Sequence, residues 1–306
     1  MAALAVSSHA FDLQGHRGAR GLAPENTLPG FERALALGVT TLELDIGVAA
    51  DGTVVVAHDP YLNPLFTRDA SGQWLAGPRG PLLRTLTFAQ LLAYDVGRIK
   101  PDTPYAGTFS TQQPRDGTRI PSLAQVFDLV KLRKASVRFN IETKISVGAP
   151  EDTVSAEAMT QALLATIRSA GMLQRVAIQS FDWRTLQLVQ KLEPRVPTVY
   201  LTVQSANSDN VRDGNAGFRL ADHGTPPRMV KAAGGAVWSP NGNSLTEALV
   251  KEGHSLGLQV IPWTINNPAD MERFIGWGVD GIITDYPDRL REVMARRGLP
   301  LPASAP

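Results

Sequence analysis

The segment TTLELDIGVAADGTVVVAHD, residues 40–59, decides the fold, because it holds two strand-like runs joined by the turn signal Asp51-Gly52. Side chains alternate between the two faces of a strand. The leucines of LELDI therefore share one face, while Glu43 and Asp45 share the other. Helices cover both faces of a parallel sheet, so neighbouring carboxylates are tolerated only near an open end and beside a counterion. The alternative is the solvated face of an antiparallel sheet.

Strand-like and helix-like segments alternate along almost the whole chain. Counting residues 40–46 and their hairpin partner as one unit gives eight β-then-α units in about 280 residues. This rhythm predicts an α/β fold, a (β/α)8 TIM barrel forming a single domain over residues 11–306, with a doubly wound sheet as the alternative. The predicted strands are 12–17, 40–46, 53–59, 138–144, 176–181, 198–202, 236–240, 259–264 and 281–285.

Capping signals predict where helices start. Ser122 with Gln125, and Ser244 with Glu247, have the spacing of a capping box. Thr27 is placed to cap the first helix.

Residues 60–118 interrupt the rhythm. They are rich in Pro and Gly and hold one short helical pattern, LTFAQLLAYDVG. We interpret them as an insertion after the second strand, on the loop face where barrels build their active sites. The insertion is therefore the candidate for substrate selectivity.

Composition limits the possible partners. Thirty Lys and Arg against twenty-nine Asp and Glu give a net charge of +1, without the basic surplus of a nucleic-acid-binding protein. With no cysteine, disulfides, thiolate metal sites and a Cys nucleophile are excluded. No apolar run is long enough for a membrane span. The sequence does not predict an oligomeric state.

The first ten residues, MAALAVSSHA, are small and apolar and end in a sequence similar to a signal-peptide cleavage site. They lack a basic start. We interpret residues 1–10 as a remnant of an export signal, which predicts a periplasmic or secreted protein; a cytoplasmic one is the alternative.

A second segment repeats the carboxylate pattern. In FNIETK, residues 139–144, Glu142 and Lys144 share one face. Together with Glu43 and Asp45, Glu142 offers hard oxygen ligands that suit Mg²⁺ or Ca²⁺, unlike the His and Cys sets of Zn²⁺ sites. A purely structural Glu142–Lys144 ion pair is the alternative.

Two histidines, His16 and His58, stand at the ends of predicted strands. A lone histidine is more often structural, but two of them beside carboxylates can supply a general base and a general acid near neutral pH. Arg17 and Lys144 add positive charge suited to a phosphate. A metal, two imidazoles and two cations favour phosphoryl transfer over sugar or acyl chemistry.

Six motifs, in chain order, resemble those of the glycerophosphodiester phosphodiesterases. They are GHRGARGLAPENTLPGF, LELDIGVAADGTVVVAHDP, IETK, QSFD, PWTIN and GIITDYPD. The resemblance extends from about residue 12 to residue 290 and leaves only residues 60–118 without a recognised pattern. It implies a metal-dependent TIM barrel that cleaves glycerophosphodiesters to glycerol 3-phosphate and an alcohol.

The resemblance also implies roles for single residues. In that family, residues matching Glu43, Asp45 and Glu142 hold a divalent cation, and those matching His16 and His58 are the acid and base. The usual proposal is attack by the glycerol hydroxyl of the substrate, followed by opening of the cyclic phosphate by water.

The remaining implied residues would contact the substrate. Arg17 and Lys144 match residues that contact phosphate, and Trp263 matches a tryptophan that packs on the glycerol side. Gln179 and Phe181 share a strand face and are expected to line the same pocket.

Other residues of the HRGARGLAPENT motif are expected to act indirectly, without contacting the substrate. Glu25 and Asn26 are expected to hold neighbouring loops by hydrogen bonds, with a purely structural loop as the alternative for Glu25. Gly15 and Gly18 are expected to let the backbone turn close to the substrate.

Two other functions remain open at this stage. The same chemistry could act on a lysophospholipid, in the manner of a phospholipase D, if the insertion presents an exposed apolar rim. A non-catalytic phosphodiester-binding protein would require one of the reactive residues to be missing.

Overall fold

The computed structural model describes residues 10–305. Its strands are β1 Asp12–Gly15, β2 Thr41–Val48, β3 Val54–Val56, β4 Arg138–Thr143, β5 Val176–Ser180, β6 Thr198–Thr202, β7 Val237–Pro240, β8 Gln259–Val260 and β9 Gly281–Thr284. The eight strands other than β3 are parallel, in the order β8-β7-β6-β5-β4-β2-β1-β9. Strand β3 pairs antiparallel with β2, as the Asp51-Gly52 turn predicts.

The two end strands of this sheet, β8 and β9, meet through backbone hydrogen bonds. The N–H of Asp280 donates to the carbonyl of Val260 at 2.9 Å, and that of Ile283 donates to Pro262 at 3.0 Å. The N–H of Ile265 donates back to Ile283 at 3.0 Å. These bonds bring the ends together, and the predicted (β/α)8 barrel is confirmed.

Helices surround the strands. They are α1 Leu28–Leu37, α2 Phe88–Leu91, α3 Pro104–Thr108, α4 Leu123–Leu132, α5 Ala156–Ser169, α6 Trp183–Leu192, α7 Leu220–His223, α8 Pro226–Ala232, α9 Glu247–Ser255, α10 Pro268–Gly276 and α11 Pro287–Arg296. The main core lies between strands and helices, where Leu42 and Leu44 of β2 are fully buried with Phe31 of α1 and Phe139 of β4. Burial of these apolar side chains is the main stabilising term.

The register between β2 and β4 places the acidic residues side by side. Asp45 lies opposite Glu142, and Glu43 lies opposite Asn140. Because the leucines of LELDI point into the outer core, the carboxylates point into the barrel, as the alternation predicts. The carboxyl ends of parallel strands meet at one end of the barrel, which therefore receives both acidic patterns.

The insertion runs from the end of β3 to the start of α4. It has a small apolar core shared with the β2–β3 hairpin, formed by Ala49, Val55, Leu62, Leu83, Leu91, Val96 and Ile120. Helix α2 lies within the predicted helical pattern. Helix α3 was not predicted, because it has five residues, too few to show periodicity, and depends on its Thr103 cap and on Pro104.

The capping predictions have different outcomes. Ser122 caps α4 through the capping box with Gln125, which confirms that prediction. The prediction for Ser244 is wrong: Thr246 caps α9, and the Ser244 hydroxyl donates to the carbonyl of Gln204 at 3.0 Å. Two hydroxyl residues compete near this helix start, and tertiary contact with Gln204 decides between them.

Of the predicted export signal, residues 1–9 lie outside the described residues, so export stays a prediction. Within residues 10–305, no helix combines the length and apolarity that crossing a membrane requires.

We expect Thr27→Ala to lower the free energy of unfolding by about 1–2 kcal/mol, measured by urea denaturation. The buried Thr27 hydroxyl accepts from the N–H of Gly30 at 3.2 Å and donates to the carbonyl of Pro24 at 2.6 Å. Thr27→Ser keeps the hydroxyl and is the control. An alanine variant as stable as the wild type would contradict this role.

Candidate active site

The C-terminal ends of the strands surround one pocket of about 160 Å³. It collects all of the site residues predicted from sequence except Asp45, which lies next to it. The pocket is lined by His16, Arg17, Arg20, Glu43, His58, Glu142, Lys144, Gln179, Phe181, Leu201, Trp263, Thr264 and Ile283.

Three buried carboxylates form the floor of the site. Glu43, Asp45 and Glu142 each offer an oxygen, and these oxygens lie within 4.8 Å of one another. Burial raises the pKa of Glu43 well above its usual range, and repulsion from the other two carboxylates adds to the shift. Burial also raises the pKa of Glu142, an effect that Lys144 opposes only in part. Three buried carboxylates so close together are unfavourable unless a cation offsets their charge.

The donor set fits a hard divalent cation. All ligand atoms are carboxylate oxygens, as Mg²⁺ and Ca²⁺ prefer. Oδ1 of Asp45 is buried and accepts no hydrogen bond from the described residues. Burial raises the pKa of Asp45, but Arg17 and other cations outweigh it and hold that pKa below the ordinary value. Asp45 therefore stays ionised and has a free lone pair for a cation.

Two cations already lie against the carboxylates. Nη1 of Arg17 donates to Glu25 at 2.7 Å, and Nε of Arg17 is 3.2 Å from Asp45. Nζ of Lys144 donates to Glu142 at 2.6 Å and is 3.8 Å from Asp45. The Glu142–Lys144 pair considered as a structural alternative thus exists, but it forms part of the acidic site and lines the pocket.

The turn after β1 presents Arg17 and His16 to the pocket. Arg17 has φ 50°, in the left-handed region, and its N–H donates to Glu43 at 2.8 Å. That region costs an L-residue about 1–2 kcal/mol, which the hydrogen bond to a buried carboxylate offsets. A β-carbon on Gly15 would lie 2.1 Å from the carbonyl oxygen of Gly18, which has φ 87°. The turn therefore requires glycine at both positions.

His16 is held by an aspartate that was not predicted from the sequence. Nδ1 of His16 lies 2.6 Å from Oδ1 of Asp285. Asp285 also accepts hydrogen bonds from Arg20 at 2.7 and 3.1 Å and from Asn266 at 2.6 Å. Burial raises the pKa of Asp285, but His16 and Arg20 outweigh it and hold that pKa below its usual value. An ionised Asp285 can only accept, so His16 carries its proton on Nδ1 and directs Nε2 away from Asp285.

The second histidine has a similar partner. Nδ1 of His58 lies 2.9 Å from Oδ1 of Asp59, and Asn63 donates to Asp59 at 2.7 Å. The His58 side chain is 31% exposed and the His16 side chain is 11% exposed. The two imidazoles therefore have equivalent anchors but different access to solvent.

The other predicted pocket residues form the wall and a support beneath it. The rings of Phe181 and Trp263 meet edge to face, with centroids 5.2 Å apart. Nε2 of Gln179 donates to Glu43 at 2.7 Å, and its Oε1 accepts from Asn140 at 2.9 Å. Both the nitrogen and the oxygen of the Gln179 side-chain amide are thus hydrogen-bonded, and Gln179 orients the carboxylate of Glu43.

The PENT sequence holds the site together, as expected. Asn26 donates to Asp45 at 2.8 Å, and Glu25 accepts from Arg17. Tyr105 of the insertion donates its hydroxyl proton to the other oxygen of Glu25.

Known proteins are similar to this chain in sequence and fold. The family model described as the glycerophosphoryl diester phosphodiesterase family matches residues 16–289. The chain belongs to this family.

A Silicibacter pomeroyi structure assigned to the same enzymes is 36% identical, has a TM-score of 0.85, and aligns over 95% of both chains. A Bacillus subtilis glycerophosphodiester phosphodiesterase is 29% identical over 91% of this chain and 84% of its own. An Oleispira antarctica phosphodiesterase, solved with its product sn-glycerol 3-phosphate, has a TM-score of 0.68 and 20% identity over 94% of this chain and 97% of its own. This last likeness shows the fold alone. The predicted family and enzyme class, a phosphodiesterase, are confirmed.

Within this phosphodiesterase, sequence reasoning missed Arg20, Asp285, Asn266 and Tyr105. A signal existed for Asp285, because it directly follows β9 at the end of the barrel where the other acidic residues lie. Arg20, Asn266 and Asp285 also lie within the motifs that carry the family resemblance. No local pattern distinguishes Tyr105, whose partner Glu25 is 80 residues away.

We expect His16 of the phosphodiesterase to be neutral at pH 7 with its proton on Nδ1. Burial, followed by Arg20, lowers the pKa of His16 to about 4, although Asp285 opposes this shift. Long-range ¹H–¹⁵N NMR spectra of the imidazole measure the tautomer and its titration. Asp285→Asn is the comparison and should change the tautomer populations. A charged His16 at pH 7, or a proton on Nε2, would contradict the arrangement.

Proposed function

We propose that this phosphodiesterase hydrolyses glycerophosphodiesters to sn-glycerol 3-phosphate and an alcohol, using a divalent cation and histidine acid–base catalysis. The observation that supports this most strongly is the convergence of three carboxylates, two anchored imidazoles and cations in one pocket of a family member. Each side chain to which the proposal gives a role is present among the described residues.

The cation would be held by Glu43, Asp45 and Glu142, whose oxygens suit Mg²⁺ or Ca²⁺. When bound, such a cation supplies a Lewis acid that stabilises negative charge on the phosphate oxygens. Gln179 and Asn26 keep two of the carboxylates in orientation, through hydrogen bonds of 2.7 and 2.8 Å.

In the first step, His16 is the base. Its neutral Nε2 accepts the proton of the glycerol hydroxyl next to the phosphodiester, and that oxygen attacks phosphorus. His58, which is more exposed and lies beside Asp59, donates a proton to the departing alcohol. The product of this step is a cyclic phosphate.

In the second step the two histidines exchange roles. His58, now neutral, accepts a proton from water, which attacks the cyclic phosphate, and His16 returns its proton to the glycerol oxygen. Asp285 and Asp59 keep both imidazoles aligned throughout, because each accepts from Nδ1.

The phosphate would be held by Arg17 and Lys144, which line the pocket and are now paired with carboxylates. Cations in a shielded pocket stabilise the charge that develops on phosphorus oxygens. Phe181 and Trp263 offer an apolar wall to the carbon atoms of glycerol.

A lysophospholipid substrate is the second candidate, and the insertion gives it little support. Its apolar side chains are mostly turned into its own core, and among its described residues only Leu65 and Leu92 are large, apolar and exposed, at 37% and 39%. An acyl chain would need a larger apolar surface. We therefore favour water-soluble diesters.

A substrate panel tests the proposal. We expect glycerophosphocholine and glycerophosphoethanolamine to release glycerol 3-phosphate, measured by a coupled glycerol 3-phosphate dehydrogenase assay, together with the free alcohol. Lysolipids, whose turnover is followed by the free choline or ethanolamine they release, should react poorly. Preferential turnover of lysolipids would favour the second candidate. Binding without turnover of any diester would indicate a binding protein.

His16→Ala is the control for the panel, because it removes the base while Asp285 keeps its bonds to Arg20 and Asn266. General acid–base catalysis contributes about 10²–10⁴-fold, and a loss of that size is expected. An alanine variant with wild-type activity would contradict the role of His16.

Removal of divalent cations by a chelator should abolish hydrolysis, and Mg²⁺ or Ca²⁺ should restore it. The same ions should raise Tm by about 5 °C when present well above Kd, since a cation that binds only the folded state stabilises it. Calorimetry measures this shift without substrate. Glu142→Gln removes one carboxylate charge and should reduce the shift. Full activity after exhaustive chelation would contradict a cation site.

A further inference from the structure

Part of the insertion lies directly on the loop that connects β1 to α1. We call residues 103–113 the covering segment. The side-chain amide of Gln112 donates to the carbonyl of Arg20 at 2.8 Å, and the N–H of Gln113 donates to the carbonyl of Leu22 at 3.0 Å. The covering segment is therefore fixed to the loop that carries the arginines of the active site.

One side chain of the covering segment reaches the phosphate-binding arginine through a single intermediate. Tyr105 donates its hydroxyl proton to one oxygen of Glu25, whose other oxygen accepts from Nη1 of Arg17 at 2.7 Å. Glu25 is 8% exposed, so neither oxygen is well solvated. Burial raises the pKa of Tyr105 and the charge of Glu25 adds to it, which keeps the hydroxyl protonated and donating.

A second side chain supports the other arginine of the pocket. The guanidinium carbon of Arg20 lies 4.6 Å from the ring centroid of Phe109. Arg20 in turn donates to Asp285, the partner of His16. Phe109 and Tyr105 also pack edge to face with centroids 5.0 Å apart, so the two supports form one unit.

We propose that Tyr105 and Phe109 are positioning residues, through which the covering segment fixes Arg17 by way of Glu25 and supports His16 by way of Arg20. In this proposal the insertion does more than contact the alcohol. It also holds Arg17, which binds phosphate, and His16, which transfers a proton, in fixed positions. This inference rests on the proposed function, because it gives Arg17 and His16 their proposed roles.

The physical basis is the geometry of a shared guanidinium. Arg17 lies between Glu25 and Asp45, and either carboxylate alone would let it rotate towards that partner. Tyr105 fixes the carboxylate of Glu25, and a fixed acceptor fixes the donor. Groups that are held in place before substrate arrives do not have to be ordered during binding.

Tyr105→Phe is the main test, since it removes the hydroxyl and keeps the ring that packs on Phe109. We expect about a tenfold loss in kcat/KM, the size expected for a hydrogen bond to a charged group. The loss should appear mainly as a higher KM and a weaker inhibition by sn-glycerol 3-phosphate, because Arg17 contacts phosphate in substrate and product alike. Tyr94→Phe, in the same insertion, is the matched control and should behave like the wild type.

A double-mutant cycle shows whether Tyr105 acts through Glu25. We expect the loss caused by Tyr105→Phe to become much smaller in a Glu25→Gln background, where the charged link to Arg17 is already broken. An equal loss in both backgrounds would overturn the proposal, as would wild-type kinetics in Tyr105→Phe.

Phe109→Leu is the second variant, and it keeps apolar volume while it removes the ring under Arg20. We expect a several-fold lower kcat, because Arg20 supports the Asp285–His16 pair and loses its cation–π contact. A smaller rise in KM should accompany it, because Tyr105 loses its edge-to-face partner. An unchanged kcat would overturn this half of the proposal.

Calorimetric titration with sn-glycerol 3-phosphate, in the presence of Mg²⁺, separates this inference from the proposed function. If wild-type protein hydrolyses no diester, the proposed function fails. If it hydrolyses diesters and binds the product, but Tyr105→Phe binds the product equally well, only the role of the covering segment fails.

Discussion

The structure depends on one electrostatic constraint: three carboxylates are buried within a few ångströms of one another inside a barrel. Glu43, Asp45 and Glu142 repel each other in a region of low dielectric constant, where charge interactions are strong and solvation is weak. Arg17 and Lys144 offset part of that charge through contacts of 2.6 to 3.8 Å. Their positions are therefore set by the acidic site itself, and this explains why the two cations proposed to bind phosphate lie beside the carboxylates.

The barrel makes this arrangement possible by dividing the sheet into two environments. The outward faces of the strands are mostly apolar and are sealed by helices, which supplies the stability that a charged interior lacks. Inside the barrel, one side is polar and the other is lined by Val199, Val237, Ile261 and Ile283. On the polar side, hydrogen-bonded amides replace water as the solvent of the carboxylates, which is why Gln179 donates to Glu43.

Period-two alternation and the count of β/α units were enough to predict the barrel and to place the predicted reactive residues at its open end. Alternation indicates the face of the strand on which a side chain lies. For residues on strands, such as Glu43, the face is almost enough to place the side chain in the site. Alternation does not indicate which residues from distant parts of the chain will contact each other. Asp285 meets His16 across 269 residues and Tyr105 meets Glu25 across 80 residues, so neither pair leaves a local pattern. The missed residues are those that position reactive groups, since a positioning contact is tertiary by nature.

The two histidines differ in position, and this difference indicates which part of the substrate the insertion would contact in the proposed reaction. His16 is anchored in the β1 turn deep in the barrel, whereas His58 follows β3 at the point where the insertion begins. A small pocket beside His58 is lined by insertion residues, among them Tyr61, Asn63 and Phe66. If His58 protonates the departing alcohol, that alcohol leaves on the side of the insertion. The glycerol side is then built from the barrel alone, and the variable alcohol meets the one segment that does not follow the β/α rhythm. In this proposal the barrel carries the reacting groups, and the insertion both supports them through Tyr105 and Phe109 and meets the alcohol.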